Sequence, residues 1–199
     1  MTPFNFSGNV VLEDERVILR PLVLADDEYL IPFAIGEPEI WQFSTVPPVG
    51  PGGMREYIRT AAEARNEGKE YPFIVFDKQL QRYAGSTRFY DIQLRNSTLQ
   101  LGYTWYGKDF QGTGLNKHCK FLLLQYAFER MGMERVEFRA AHTNERSIAA
   151  MKSIGCTVEG ILRSVAPNVD GTRRSSIILS ILKDEWLGSL KENLRKRLY

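Results

Sequence analysis

Two glycines stand one residue apart in the run DFQGTGLNKHC, residues 109–119, after an aromatic strand-like stretch and before a long apolar helix-like one. A glycine turn at such a junction exposes several backbone N–H groups at the positive end of a helix dipole, which suits an anion. Gly112 and Gly114 carry no Cβ to hold a ligand away from the backbone, and Gln111 and Thr113 add side-chain donors. The same residues also describe a plain tight turn whose glycines take positive φ, and this stretch alone does not choose between the two. Two phosphate motifs are excluded. The string G-x-x-x-x-G-K-[ST] is absent, and a dinucleotide fingerprint needs a third glycine three residues after Gly114, where Lys117 stands. Downstream, TNERSIAAMKSIGC sets Asn144 and Ser147 three apart at a helix start, where Asn is a good N-cap.

These residues need strands and helices to hold them. NVVLEDERVILRPL (9–22) reads as strand, turn, strand, and residues 23–34 as a helix with acidic Asp26, Asp27 and Glu28 at its start, broken by Pro32 and by GEP at 36–38. STVPPVGPGG (44–53) reads as loop, and residues 54–68 as a helix stopped by Gly68. YPFIVFD (71–77) and RYAGSTRFYDIQ (82–93) form an expected antiparallel pair, with a further strand at 97–107. A helix over 116–132 closes at Gly132, and a strand follows at 134–143 with Val136, Phe138 and Ala140 on one face. A short helix spans 144–155. The last strand, 175–182, is reached through a loop containing NVDG at 168–171, and residues 183–199 form a polar, basic helix or tail.

Composition sets the bounds. The 199 residues are 43% hydrophobic and 25% charged, with a net charge of +2, as in an ordinary globular chain and without the basic bias of a dedicated nucleic-acid binder. No apolar run approaches the roughly 20 residues of a membrane span, and the first residues do not read as a secretion signal. Cys119 and Cys156 make neither a metal site nor a disulfide framework, so reduced thiols and a cytoplasmic location are expected.

Taken together, Gln111-x-x-Gly114-x-Asn116, a helix, a strand, and then Asn144-x-x-Ser147 with Gly155 eight residues on resemble the GNAT acetyltransferases. The likeness is greatest to the branch containing the ribosomal-protein N-terminal (serine/alanine) acetyltransferases. DERVILRPLVLADDEYL near the start and EGILRS…DGTRRSSIILSILKDEW near the end extend it over roughly residues 10–187. The resemblance implies an α+β GNAT fold in one N-acetyltransferase domain over 1–199. Its core would lie at 10–187, with a basic tail at 188–199. A mixed, mostly antiparallel twisted sheet of about seven strands would be flanked by helices and splayed at its centre. It further implies that backbone amides from Gln111 through Gly112, Thr113, Gly114 and Leu115 to Asn116 hold the pyrophosphate of acetyl-CoA. Thr104, Trp105 and Tyr106 would pair with the pantetheine arm, Asn144 would hydrogen-bond that arm, and Ser147, beside the thioester, would be the catalytic hydroxyl. Acetyl-CoA is then the cosubstrate, with no metal. The acceptor is an amine, of a protein N-terminus or of a small molecule such as a polyamine, amino sugar or amino-acid derivative. A coenzyme-A-binding module without turnover stays as a third reading. No membrane or nucleic-acid partner is implied, and the chain is a monomer or a homodimer.

Three residues depart from the family pattern. Asn116 replaces Gly or Ala, Met151 replaces a tyrosine that protonates the leaving thiolate in many members, and Gln100 stands where many members begin the central strand with Glu. Glutamine abstracts no proton. An α-amine with a pKa of about 7.7–8.0 keeps roughly a tenth or more of its population neutral near pH 7, whereas a lysine near 10.4 needs about 3 kcal/mol more, so the missing carboxylate leans towards α-amines. Glu137 reads as half of a surface pair with Arg139, His118 as solvent-facing and His142 as a loop-edge residue. Trp41, Phe43 and Tyr90 are candidate acceptor walls whose default is core packing.

Overall fold

The computed structural model describes residues 4–198. Its strands are β1 (Leu12–Glu13), β2 (Val17–Pro21), β3 (Tyr71–Asp77), β4 (Arg82–Gln93), β5 (Thr98–Tyr106), β6 (Arg135–Ala141), β7 (Thr157–Pro167) and β8 (Arg173–Leu182). They form one open sheet in the order β1-β2-β3-β4-β5-β6-β8-β7. Neighbours are antiparallel except β5 and β6, which run parallel because a helix crosses over between them. The helices are α1 (Asp27–Gly36), α2 (Gly50–Asn66), α3 (Leu115–Gln125, continued by a wider turn over Tyr126–Arg130), α4 (Glu145–Ser153) and a C-terminal α5 built from Lys183–Glu185, Trp186–Leu190 and Lys191–Arg195. Among the described residues, no helix is long and apolar enough to cross a membrane.

Helices cover both faces of the sheet. Successive side chains of a strand point to opposite faces. Trp105 packs on Phe33 of α1 and on Trp41, with ring centroids 5.6 and 4.6 Å away, while the adjacent Thr104 receives a hydrogen bond from Lys120 of α3. Thus α1 lies on one face and α3 on the other. The core runs through both layers, from Leu19, Phe73 and Phe89 to Leu115, Leu124 and Phe138.

Central β5 and β6 separate almost at once. They pair only at Thr98–Arg135, Leu99–Val136 and Gln100–Glu137, after which β5 continues to Tyr106 and β6 to Ala141 without a ladder between them. Opposite β4, the register of β5 shifts between Ser86–Trp105 and Arg88–Gly102, and Tyr103 in that bulge takes φ +49. The sheet therefore opens into a fork whose one arm bulges.

Four expectations change. Pro32 lies inside α1 and does not break it, because Leu30, Phe33 and Ala34 on either side hold the helix to the core; the break comes at Glu37. Helix α2 begins at Gly50, inside the stretch read as loop, since Pro51 falls in the first turn, where the N–H it lacks would have no helical partner. The eighth strand, β7, precedes the NVDG turn. It is an edge strand with Val158, Ile161, Leu162 and Val165 exposed, so it shows no alternation to read. Lastly, α5 is more than a polar appendage: Trp186 and Leu194 are buried in the common core.

Candidate coenzyme site in the fork of the sheet

The glycine turn lies between a short 3-10 turn at Lys108–Phe110 and the first residue of α3. Phe110 and Leu115, both buried, anchor its two ends. Between them the backbone must reverse, and it does so with φ +75 at Gly112 and +89 at Gly114. A Cβ at either glycine would meet no atom within 4 Å, so the conformation, and not protein crowding, requires glycine here. Gln111 N donates to Lys108 O at 3.0 Å, and Leu115 N reaches Thr113 Oγ1 at 3.4 Å. Among the described residues, the amides of Gly112, Thr113, Gly114 and Asn116 have no partner. Four unpaired donors ahead of a helix N-terminus form a cradle for an anion.

Side chains of the turn stiffen it. Gln111 Nε2 donates to Tyr106 O at 2.7 Å and its Oε1 accepts from Arg146 at 2.5 Å, while Thr113 Oγ1 donates to Phe110 O at 2.9 Å. They are therefore scaffold, not the added donors the sequence suggests. Asn116 has a similar use: its Oδ1 accepts the Tyr106 hydroxyl at 3.2 Å and ties the end of β5 to the start of α3. This gives the departure at Asn116 a physical reason.

Asn144 is the N-cap of α4, its Oδ1 accepting Ser147 N at 3.1 Å. The Nδ2 donor is not used by the cap. Ser147 is half-buried, and among the described residues its hydroxyl makes no hydrogen bond. Since α4 follows β6 directly, both residues stand beyond the end of the arm opposite β5.

Met151 is buried and adds no proton donor. Gln100, 7% exposed, is the last β5 residue before the fork; its Nε2 donates to Asp91 Oδ2 at 2.8 Å, and among the described residues its buried Oε1 has no partner. The sequence reading misses Asp91, held at φ +46 in the β4 irregularity and sharing the neighbourhood where the family carries Glu. Glu137 pairs with Arg139 and Arg135 at 2.6 and 2.9 Å, as read. Trp41 joins the core beneath Trp105, and Tyr90 meets Tyr103 edge-on at 5.0 Å. His142 is exposed, with Nδ1 3.2 Å from Ser175 O. His118 is not solvent-facing: it is 9% exposed, with Nδ1 2.7 Å from Asp14 Oδ2, because α3 lays that face against β1 and β2.

A second residue that the sequence reading passes over lies two residues further along α3. Lys120 is 5% exposed, and its Nζ donates to Thr104 Oγ1 at 2.8 Å and reaches Thr87 Oγ1 at 3.5 Å. Burial lowers its pKa to about 8, opposed only by the thiols of Cys119 and Cys156. Nothing in a pattern of polar and apolar letters separates this lysine from a surface one.

Comparison with known proteins identifies the family and the fold. The model of the family described as "Acetyltransferase (GNAT) domain" matches residues 16–157. The "Uncharacterized N-acetyltransferase p20" of Bacillus licheniformis is 25% identical over 178 residues, 89% of this chain and 98% of that protein. The "Putative ribosomal N-acetyltransferase YdaF" of Bacillus subtilis is 34% identical over 115 residues, 58% of this chain and 60% of its own. Among solved structures, the microcin C7 self-immunity acetyltransferase MccE in complex with acetyl-CoA and AMP superposes with a TM-score of 0.75 at 22% identity, covering 85% of this chain and 93% of that one.

Proposed function

The chain belongs to the GNAT acetyltransferases and takes its acetyl group from acetyl-CoA; from that premise we propose that the acceptor is a primary amine, foremost the α-amino group of a protein N-terminus, attacking the thioester directly in a ternary complex. The observation that carries this is the fork with its cradle: an unpaired arm of β5 leads to four unpaired amides at the start of α3. The residues present fit the coenzyme. The amides of Gly112, Thr113, Gly114 and Asn116 hold the pyrophosphate, with Gln111 and Leu115 shaping the turn. The open backbone edge of Thr104, Trp105 and Tyr106 accepts the pantetheine arm, and its amides polarise the thioester carbonyl. Asn144 gives its Nδ2 to the arm, while its Oδ1 keeps α4 capped. Ser147 directs its unengaged hydroxyl to the reacting group.

Two observations support an α-amine. Position 100 holds an amide and not a carboxylate, so the site favours an acceptor of low pKa, of which a usable fraction is already neutral near pH 7. The similarity to a relative named as a ribosomal N-acetyltransferase points the same way. The two cysteines are free and buried, as suits a reducing cytoplasm. We also take the chain as one functional unit that includes α5, whose Trp186 and Leu194 share the core.

Labelled acetyl-CoA incubated with the protein and a cell lysate tests the acceptor. Label in a protein band whose N-terminus is blocked to Edman degradation, and which mass spectrometry places on the N-terminal peptide, supports this reading. Label only in small molecules overturns it in favour of a metabolite amine.

A further inference from the structure

The fork holds one ionisable group that the functions assigned above leave unused. We propose that the Lys120 ammonium faces the coenzyme sulfur in the fork and hands it a proton as the thioester breaks. The inference rests on the coenzyme reading of the site, and its basis is placement. Lys120 Nζ touches Thr104 on one arm of the fork and lies 5.9 Å from the ring centroid of Phe138 on the other, one residue past the last paired position of β6. It stands one turn beyond Asn116, so the helix that begins with the pyrophosphate cradle also carries this charge under the diverging strands.

A buried ammonium is normally paired with a carboxylate. Here, among the described residues, its hydrogen-bond partners are two threonine hydroxyls. The titratable groups acting on it are Cys119 on its own helix and Cys156 after α4, both held up to about 12 by burial and hence neutral thiols. The Tyr106 phenol of β5, also raised by burial, stays neutral too. Among the described residues, the positive charge therefore meets no fixed anion, and an anion that develops in the fork is its natural partner. Met151 leaves the donor role empty, and an ammonium held near 8 is matched to donating to a thiolate.

The step balances. The neutral acceptor amine forms the C–N bond, the C–S bond breaks, and its electron pair stays on sulfur. A proton passes from Lys120 Nζ to that sulfur, and the lysine regains one from the acylated nitrogen through water. No oxidant or further reactant is needed.

The test needs no acceptor. Free coenzyme A is added to the protein, binding is measured by calorimetry, and the ultraviolet absorbance of the thiolate is followed against pH for the wild type, Lys120→Met and Lys120→Gln. The expected result is a coenzyme thiol that titrates at least about one pH unit lower in the wild-type complex than in solution. That shift is lost in both variants, while they still bind coenzyme A. A wild-type complex with no shift overturns the inference without reference to any variant, as does a shift that survives in a folded variant. Failure of the wild type to bind coenzyme A at all would instead bring down the coenzyme reading, and this inference with it.

Discussion

Strand β6 has two edges, and they are treated in opposite ways. Towards β8 it is paired without interruption from Arg135–Leu182 to Ala141–Ser176. Towards β5 the ladder stops after three pairs, although both strands continue. Unpaired backbone groups inside a fold are costly, so an edge that no neighbouring strand completes marks where the fold expects a ligand. The charges divide in the same way. On the β7–β8 side of the sheet, Arg135 is matched by Glu137 and Glu159, and Glu159 also accepts Ser180 Oγ at 2.7 Å. In the fork, among the described residues, Lys120 hydrogen-bonds to hydroxyls and to no carboxylate. The closed edge is satisfied by the protein; the open one waits for the substrate.

The comparison breaks most readily at the cradle. Gly114→Ala places a side chain at φ +89, which strains the turn by about 1–2 kcal/mol, and sets a methyl group beside the unpaired amides. Acetyl-CoA affinity by calorimetry should fall on the order of 100-fold. Retained affinity would mean that the amides are not the anchor.

Lys120→Met sharpens the contrast in stability. The folded-state pKa of about 8 lies below the 10.5 of an exposed lysine, so the unfolded chain binds the proton more tightly and the buried charge opposes folding at every pH below about 8. Wild-type stability should therefore rise with pH from about 8 to 10.5. The variant should be the more stable at pH 7, by up to roughly 3 kcal/mol, with the advantage shrinking towards pH 10. Thr87 and Thr104 remain bonded to each other at 2.7 Å, so the exchange strands neither hydroxyl. Urea titrations at pH 7 and 10 check this, and a destabilised variant at pH 7 would contradict it.

Asn144 separates its two duties. Asn144→Ala should cost about 1 kcal/mol of stability through the lost cap and weaken coenzyme binding as well. Asn144→Asp keeps an oxygen for Ser147 N but loses the Nδ2 donor, so melting temperature should hold while affinity falls. The smallest effect belongs to the closed side. Glu159→Gln, at a partly exposed pair, should change stability by less than about 1 kcal/mol and leave coenzyme binding untouched.

How much of this the sequence reveals follows from where its signals are local. The glycine turn, the Asn144 cap and the face of Val136, Phe138 and Ala140 are legible because turn chemistry, capping and alternation act within a few residues. β7 is not, since an exposed edge strand has no apolar face to show. Lys120 and His118 are misjudged or passed over for one shared reason. Their polarity says surface, and only the packing of α3 against the sheet buries them. The pairing of Gln100 with Asp91 is equally invisible, being set by an irregular register between two strands.

Hydrogen exchange with and without coenzyme A tests the central claim most directly. New protection should be confined to the amides of Gly112–Asn116 and to the part of β5 beyond Gln100, with β6–β8 unchanged. Protection absent from those two segments, or gathered along the closed edge instead, would contradict the account.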